Sequence, residues 1–133
     1  MSRPSSENPT ELELQILTIL WDESPRTVRS VREALASQGR DLAHTSVITT
    51  MGTMVEKGQL EKLDPAEGKA FRFTPLIAKN DVSKKMLGDL KERAFGGSAE
   101  LVMLSLFDLD DVDEAEIKRL RRMLNQKLRE RSQ

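Results

Sequence analysis

The hydrophobic period of this chain changes at Gly58, and that change restricts what it can fold into. Before Gly58, apolar residues recur at helical spacing; after it they alternate, as in strands. Val28, Val31 and Leu35 follow the i, i+3, i+7 pattern and predict a helix over residues 28–38, with Thr27 as its N-cap. Gly39 stands where a helix C′ glycine belongs, and Arg40-Asp41-Leu42 connects to a second helical stretch, residues 43–58. There Val47, Met51, Met54 and Val55 gather on one side. Two short helices joined through a glycine-containing connection match the helix-turn-helix pattern, whose second helix enters the DNA major groove.

The strand-like half completes the unit. Residues 59–63 and 70–74 are strand candidates, the second with Phe71 and Phe73 on one face and Arg72 and Thr74 on the other. Residues 64–69, Asp-Pro-Ala-Glu-Gly-Lys, form a turn-rich loop between them. A hairpin directly after a helix-turn-helix is a wing. Its cations Lys69 and Arg72 are placed to touch sugar-phosphate, or simply to keep an edge hairpin soluble.

The second helix carries the candidate reading face. On an ideal helix Ser46, Thr49, Thr50, Thr53 and Lys57 gather opposite the apolar side. Thr is a poor helix former, so an ordinary solvated face would carry Glu and Lys instead. Short hydroxyls permit close approach, and Ser and Thr can contact base edges. Thr45, Ser46, Thr49, Thr50 and Thr53 are therefore the candidate base readers. Thr27, Arg29, His44, Lys57, Lys69 and Arg72 are the candidate backbone contacts. Arg29 and Arg32 lie on the outer side of the first helix, where they serve either phosphate or solvation. His44 is the single histidine, so it cannot build a metal site by itself. Gly52 costs its helix roughly 1 kcal/mol relative to alanine. Either the helix bends there or something approaches closely.

Around this unit the chain reads as helical. Residues 1–9 are polar and are expected to be disordered. Thr10 and Glu13 form a capping box ahead of Leu14, Ile16, Leu17, Ile19, Leu20 and Trp21, with Trp21 expected in the core. Ser24-Pro25 breaks that helix. Beyond Pro75, Asn80 is the expected cap of a helix carrying Val82, Met86, Leu87, Leu90, Ala94 and Phe95, stopped by Gly96-Gly97. A run from Leu101 to Phe107 is apolar nearly all round. Asp113 and Glu116 open a last helix with Ile117, Leu120, Leu124 and Leu128 on one face, flanked by Lys118, Arg119, Arg121 and Arg122.

With 133 residues and no cysteine, the chain has no disulfide, thiolate metal site or cysteine nucleophile. It lacks an apolar run of membrane-spanning length and a signal-peptide core, so a cytoplasmic protein without membrane insertion is expected. Nine basic and eleven acidic side chains precede Ile77, against twelve and eleven after it. A reading domain that is not basic overall needs both halves of a dimer for affinity. The expected division is a polar segment at 1–9, a winged-helix DNA-binding domain at 10–76 and a helical dimerisation region at 77–133. The latter exposes too many apolar residues to stand alone, and its simplest partner is a second copy. No enzyme chemistry and no cofactor are expected, because no carboxylate pair, serine-histidine arrangement or metal cluster has a useful spacing.

Several segments in order carry a resemblance: residues 13–21 (Glu-Leu-Gln-Ile-Leu-Thr-Ile-Leu-Trp), Pro25 with residues 27–31, residues 42–47 with Thr49, Glu56-Lys57-Gly58, and residues 72–76 (Arg-Phe-Thr-Pro-Leu). Together with Phe95-Gly96-Gly97-Ser98 and the closing helix, they make the chain look like the BlaI/MecI (penicillinase repressor) family, whose copper-responsive members include CopY. The resemblance implies a repressor, mostly α with a small β-hairpin. It would dimerise through Phe95, Leu101, Leu104, Phe107, Ile117, Leu120, Leu124 and Leu128 and occupy a palindromic promoter operator. It also implies release by signal-triggered inactivation, in which a membrane-sensor-linked protease cuts the dimerisation region. Ser105, Leu106 and Phe107 mark the equivalent stretch, without the asparagine of the family's Asn-Phe bond. The family usually has an aromatic residue at His44 and often a basic one at Thr53. The cysteine pairs of the copper-responsive members are absent, which excludes copper sensing by that route. The competing reading is a winged helix used as a protein-interaction module without DNA.

Overall fold

A computed structural model describes residues 8–65, 70–109 and 111–132. The elements run α1 (Glu11–Asp22), β1 (Arg26–Thr27), α2 (Val28–Ser37), α3 (His44–Glu56), β2 (Leu60–Leu63), β3 (Arg72–Pro75), α4 (Lys79–Ala94), α5 (Ala99–Leu109) and α6 (Glu114–Arg131). They form two compact units, residues 1–88 and 89–133.

In the first unit, local chemistry sets each helix boundary. Thr10 Oγ1 accepts from the Glu13 amide at 3.1 Å, and Glu13 Oε1 accepts from the Thr10 amide at 3.1 Å, closing the capping box of α1. Thr27 Oγ1 accepts from the Ser30 amide and caps α2. Gly39 ends the α2 turn at φ +88°, and Gly58 ends α3 at φ +81°, both in the left-handed region that favours glycine.

The core is the meeting of three helices and the sheet. Ile16, Leu17 and Leu20 of α1, Val31 and Leu35 of α2, and Val47, Met51 and Met54 of α3 are fully buried, with Leu60 and Phe73 beside them. Trp21 is half-buried against this cluster, and its Nε1 donates to the Ile77 carbonyl at 2.9 Å, tying the chain after the wing to α1.

The sheet has the order β1-β3-β2, all antiparallel. The β2–β3 ladder runs from Leu60↔Pro75 to Leu63↔Arg72, and β1 adds Arg26↔Phe73 and Thr27↔Arg72. The sequence does not announce β1, which is two residues between Pro25 and a helix. Its presence makes β3 central and leaves β2 as an edge. Phe73 fills the core, but Phe71 precedes β3 and is 45% exposed, with Lys62 Nζ 4.0 Å from its ring centre. The expected loop residues 66–69, including Lys69, lie outside the described residues. Asn80 is not the cap of α4: the Val82 amide donates to the Ala78 carbonyl, so the helix begins at Lys79, two residues before the start that an Asn80 cap implies.

In the second unit, α5 and α6 are helical as the sequence predicts. Asp113 Oδ1 accepts from the Glu116 amide at 2.8 Å, and Lys118 pairs with Glu114 at 3.6 Å. Burial is scarce. Val102 is the one buried hydrophobic residue among those described there, whereas Leu101, Met103, Leu104, Leu106, Phe107, Ile117, Leu120, Met123, Leu124 and Leu128 are exposed.

Candidate nucleic-acid interface

The α2–α3 pair is built as a rigid corner. Arg32 Nε donates to the Leu42 carbonyl at 2.8 Å, bracing the connection that aims α3. The start of α3 has no side-chain cap bond at Ala43, and among the described residues no side chain accepts from its first amides. Such a helix start favours an anionic oxygen.

Burial fixes the rotation of α3. Val47, Met51 and Met54 are inside, and Thr45, Thr49, Gly52 and Glu56 lie opposite them, exposed, with Ile48 and Ser46 on the flanks. The hydroxyl set expected from sequence is therefore turned partly sideways. Thr45, Ser46 and Thr49 face solvent. Thr50 is half-buried and its hydroxyl donates to the Ser46 carbonyl at 2.9 Å, and Thr53 is half-buried. Val55, grouped with the core in the sequence, is half-buried and packs against the core cluster; the outer face differs because Thr50 and Lys57 stand on the flank beside Met54, not opposite the core. α3 runs unbroken through Gly52, and a Cβ there would meet no atom of the chain within 4 Å.

Lys57 does not join that face. Its Nζ lies 2.8 Å from Glu13 Oε2. Glu13 is 4% exposed and also receives the Thr10 amide and, at 3.4 Å, Gln59 Nε2. Burial pushes the Glu13 carboxyl up. The hydrogen bonds from Lys57 and the Thr10 backbone, the Lys57 charge and Gln59 outweigh this, so it titrates below its usual range. Lys57 thus holds the end of α3 to the start of α1. The buried Glu13, three residues into α1, was legible only as the second half of the capping box.

The other cations divide in the same way. Arg26 bonds the Glu23 carbonyl and the Ser30 hydroxyl, and Arg40 reaches Gln15 and Glu11. Arg72, half-buried on the central strand, donates to the Asp64 carbonyl at 3.3 Å across the base of the wing. Arg29 is 83% exposed, held only by an i,i+4 pair with Glu33 at 3.4 Å. His44 is exposed at the start of α3, and Thr27 spends its side-chain oxygen on the α2 cap. Lys62, on the edge strand and exposed, is a wing cation that the sequence reading passed over.

A family profile described as "Penicillinase repressor" matches residues 9–126. The chain belongs to the penicillinase repressor family. Its relatives there include the transcriptional regulator BlaI of Mycobacterium tuberculosis, 31% identical over 82% of this chain and 78% of that protein. They also include the methicillin resistance regulatory protein MecI of Mammaliicoccus sciuri, 22% identical over 86% of this chain and 91% of that protein. Two solved structures described as hsRosR complexes share the fold. hsRosR-S4 has a TM-score of 0.53 at 16% identity over 95% of each chain. hsRosR-SG has a TM-score of 0.52 at 18% identity over 93% of this chain and 96% of the other. The penicillinase repressor fold of this chain is thus a winged helix-turn-helix followed by a helical region. Among the described residues, no group of three or more His, Cys, Asp or Glu could hold a metal, and no helix is long and apolar enough to cross a membrane.

Proposed function

We propose that this chain is a transcriptional repressor that binds a palindromic promoter operator as a homodimer. The observation that carries the reading is α3 itself. It is an exposed helix of small side chains with an uncapped N-terminus, set by a braced turn beside a hairpin, in a chain of the penicillinase repressor family. The reading domain starts near residue 10, and the dimerisation region uses the chain after residue 76. Thr45, Ser46 and Thr49 face the base edges, Thr50 and Thr53 sit at the margin, and Arg29, His44, Lys62 and the start of α3 meet phosphates. Lys69, on the wing loop, belongs with these cations. Repression is steric, since an occupied promoter excludes polymerase.

The dimer rests on the apolar surface of α5 and α6. Phe95 precedes α5, and Leu101, Leu104, Phe107, Ile117, Leu120, Leu124 and Leu128 offer a second copy a surface that water disfavours. Ser105, Leu106 and Phe107 lie on the last turns of α5, so a releasing protease would need that end to unwind first. Such a repressor works in the cytoplasm, where its DNA is.

The competing reading, a winged helix that binds protein and not DNA, draws support from the internal pairing of Arg26, Arg32, Arg40, Lys57 and Arg72. Selection of bound duplexes from a random library separates the two. Enrichment of an inverted repeat supports the repressor, with spacing that reports the separation of the two α3 helices. A folded protein that enriches nothing favours the interaction module.

A further inference from the structure

What α3 can read follows from what it lacks. The thirteen residues His44–Glu56 include no Arg, Lys, Asn or Gln. Arg and Lys make the two-point contact to guanine O6 and N7, and Asn and Gln make the one to adenine N6 and N7. Neither is available here. The outward side chains supply hydroxyls, one imidazole, one carboxylate and methyl groups.

One of those methyl-bearing groups is out of place for a solvated helix. Ile48 is 46% exposed, while the inward positions are already filled by Val47, Met51 and Met54 at 0%. A single exposed isoleucine needs no explanation in itself. Its neighbours give this one meaning. Thr45 lies one turn before it and Gly52 one turn after, with Thr49 adjacent, all exposed. At Gly52 the backbone is bare, with nothing within 4 Å of where a Cβ would stand. A planar group can therefore slide past Gly52 and come into van der Waals contact with Ile48. The Ile48 side chain is β-branched and stiff about χ1, so fixing it costs little. In the major groove the apolar group at a base edge is the C5-methyl of thymine.

We propose that Ile48, flanked by Thr45 and by the gap at Gly52, is a specificity-determining residue that receives a thymine C5-methyl in each half-site, so that the operator is read through thymine methyls rather than through guanine. This rests on the DNA-reading function proposed above.

Deoxyuridine lacks only that methyl, and it supplies the test. The selected duplex is synthesised with each thymine in turn replaced by deoxyuridine, symmetrically in both halves, and titrated with the full-length protein. Removing one buried methyl should weaken binding about fourfold per half-site, or about fifteenfold for the pair, at one position. Ile48→Ala, on an exposed site, should fold like the wild type by thermal unfolding. It should bind the thymine duplex about as weakly as the wild type binds the substituted one, and should be indifferent to deoxyuridine there. Three results overturn the inference while leaving the repressor reading standing: a selected site without an essential thymine, no sensitive position, or sensitivity that persists in Ile48→Ala and instead follows Thr45→Ser or Thr49→Ser. Failure to select any sequence overturns the repressor reading itself, and this inference with it.

Discussion

Replacing Lys57 by methionine distinguishes a lysine that holds the fold from one that touches DNA. The ammonium sits 2.8 Å from Glu13 Oε2, on a carboxylate whose side chain is 5% exposed, while the Lys57 side chain is 23% exposed. Methionine keeps much of the stem and removes the charge. A charge-assisted hydrogen bond contributes about 1.5–3 kcal/mol, and the partial exposure of Lys57 lowers that to about 1–2 kcal/mol. For a domain of this size the loss corresponds to a fall in Tm of about 4–16 °C.

The pH dependence gives the sharper signature. In the wild type, Glu13 titrates below its usual value. Its contribution is fully present above the unfolded-state pKa and is lost as the pH falls through the folded-state pKa. Lys57→Met removes the largest of the lowering causes and leaves burial, which moves the folded-state carboxyl upward. The stability gap between wild type and variant should therefore be widest near neutrality and should close in acid, as Glu13 protonates in both. Urea unfolding of wild type, Lys57→Met, Glu13→Gln and the double variant across that range measures it, and the double-variant cycle isolates the pair. Wild-type stability at every pH, together with a flatter salt dependence of duplex binding, would show that the ammonium serves phosphate and that the reasoning is wrong.

Other outcomes follow from the same geometry. Leu120→Asp puts a charge into the apolar face of α6 and should yield monomers by light scattering with the first unit still folded; a dimer that survives places the interface elsewhere. Arg29→Ala and Lys62→Ala should each lower the slope of log affinity against log salt by about one, whereas Arg72→Ala, which frees the Asp64 carbonyl, should act mainly on thermal stability. Thr45→Ala with Thr49→Ala should weaken the selected duplex far more than random duplex, while Thr50→Ala, whose hydroxyl is already bonded to Ser46, should change both little.

The order of elements was legible because each carries a local signal that tertiary packing does not override. The Thr10–Glu13 box, the Thr27 cap and the glycines at 39 and 58 are short-range chemistry, and the structure has the bonds they predict. What was not legible depends on contacts far apart in the chain. β1 exists because Arg26 and Thr27 find β3 more than forty residues later. Lys57 turns inward because Glu13, 44 positions earlier, is buried without another cation.

The reading face of α3 shows the same limit in its most consequential form. Hydrophobic spacing locates a helix and gives its apolar side to within one residue in the arc. A hydroxyl counted on the outer face can lie on its flank instead. Thr50 and Lys57 stand about 60–80° around the helix from the buried Val47, so they flank the core, and the centre of the outer face shifts to Thr45, Thr49, Gly52 and Glu56, with Ile48 at its rim. That shift changes the chemistry offered to a groove from hydroxyls ending in a cation to hydroxyls and methyls ending in a carboxylate. A carboxylate there repels phosphate, so contact is concentrated on the first two turns of α3, where the uncapped amides, Thr45, Ile48 and Thr49 stand together. Glu56→Gln should therefore raise affinity for any duplex without altering which sequence is selected. A change in the selected sequence would mean that Glu56 reaches a base, as a carboxylate accepting from cytosine N4 would.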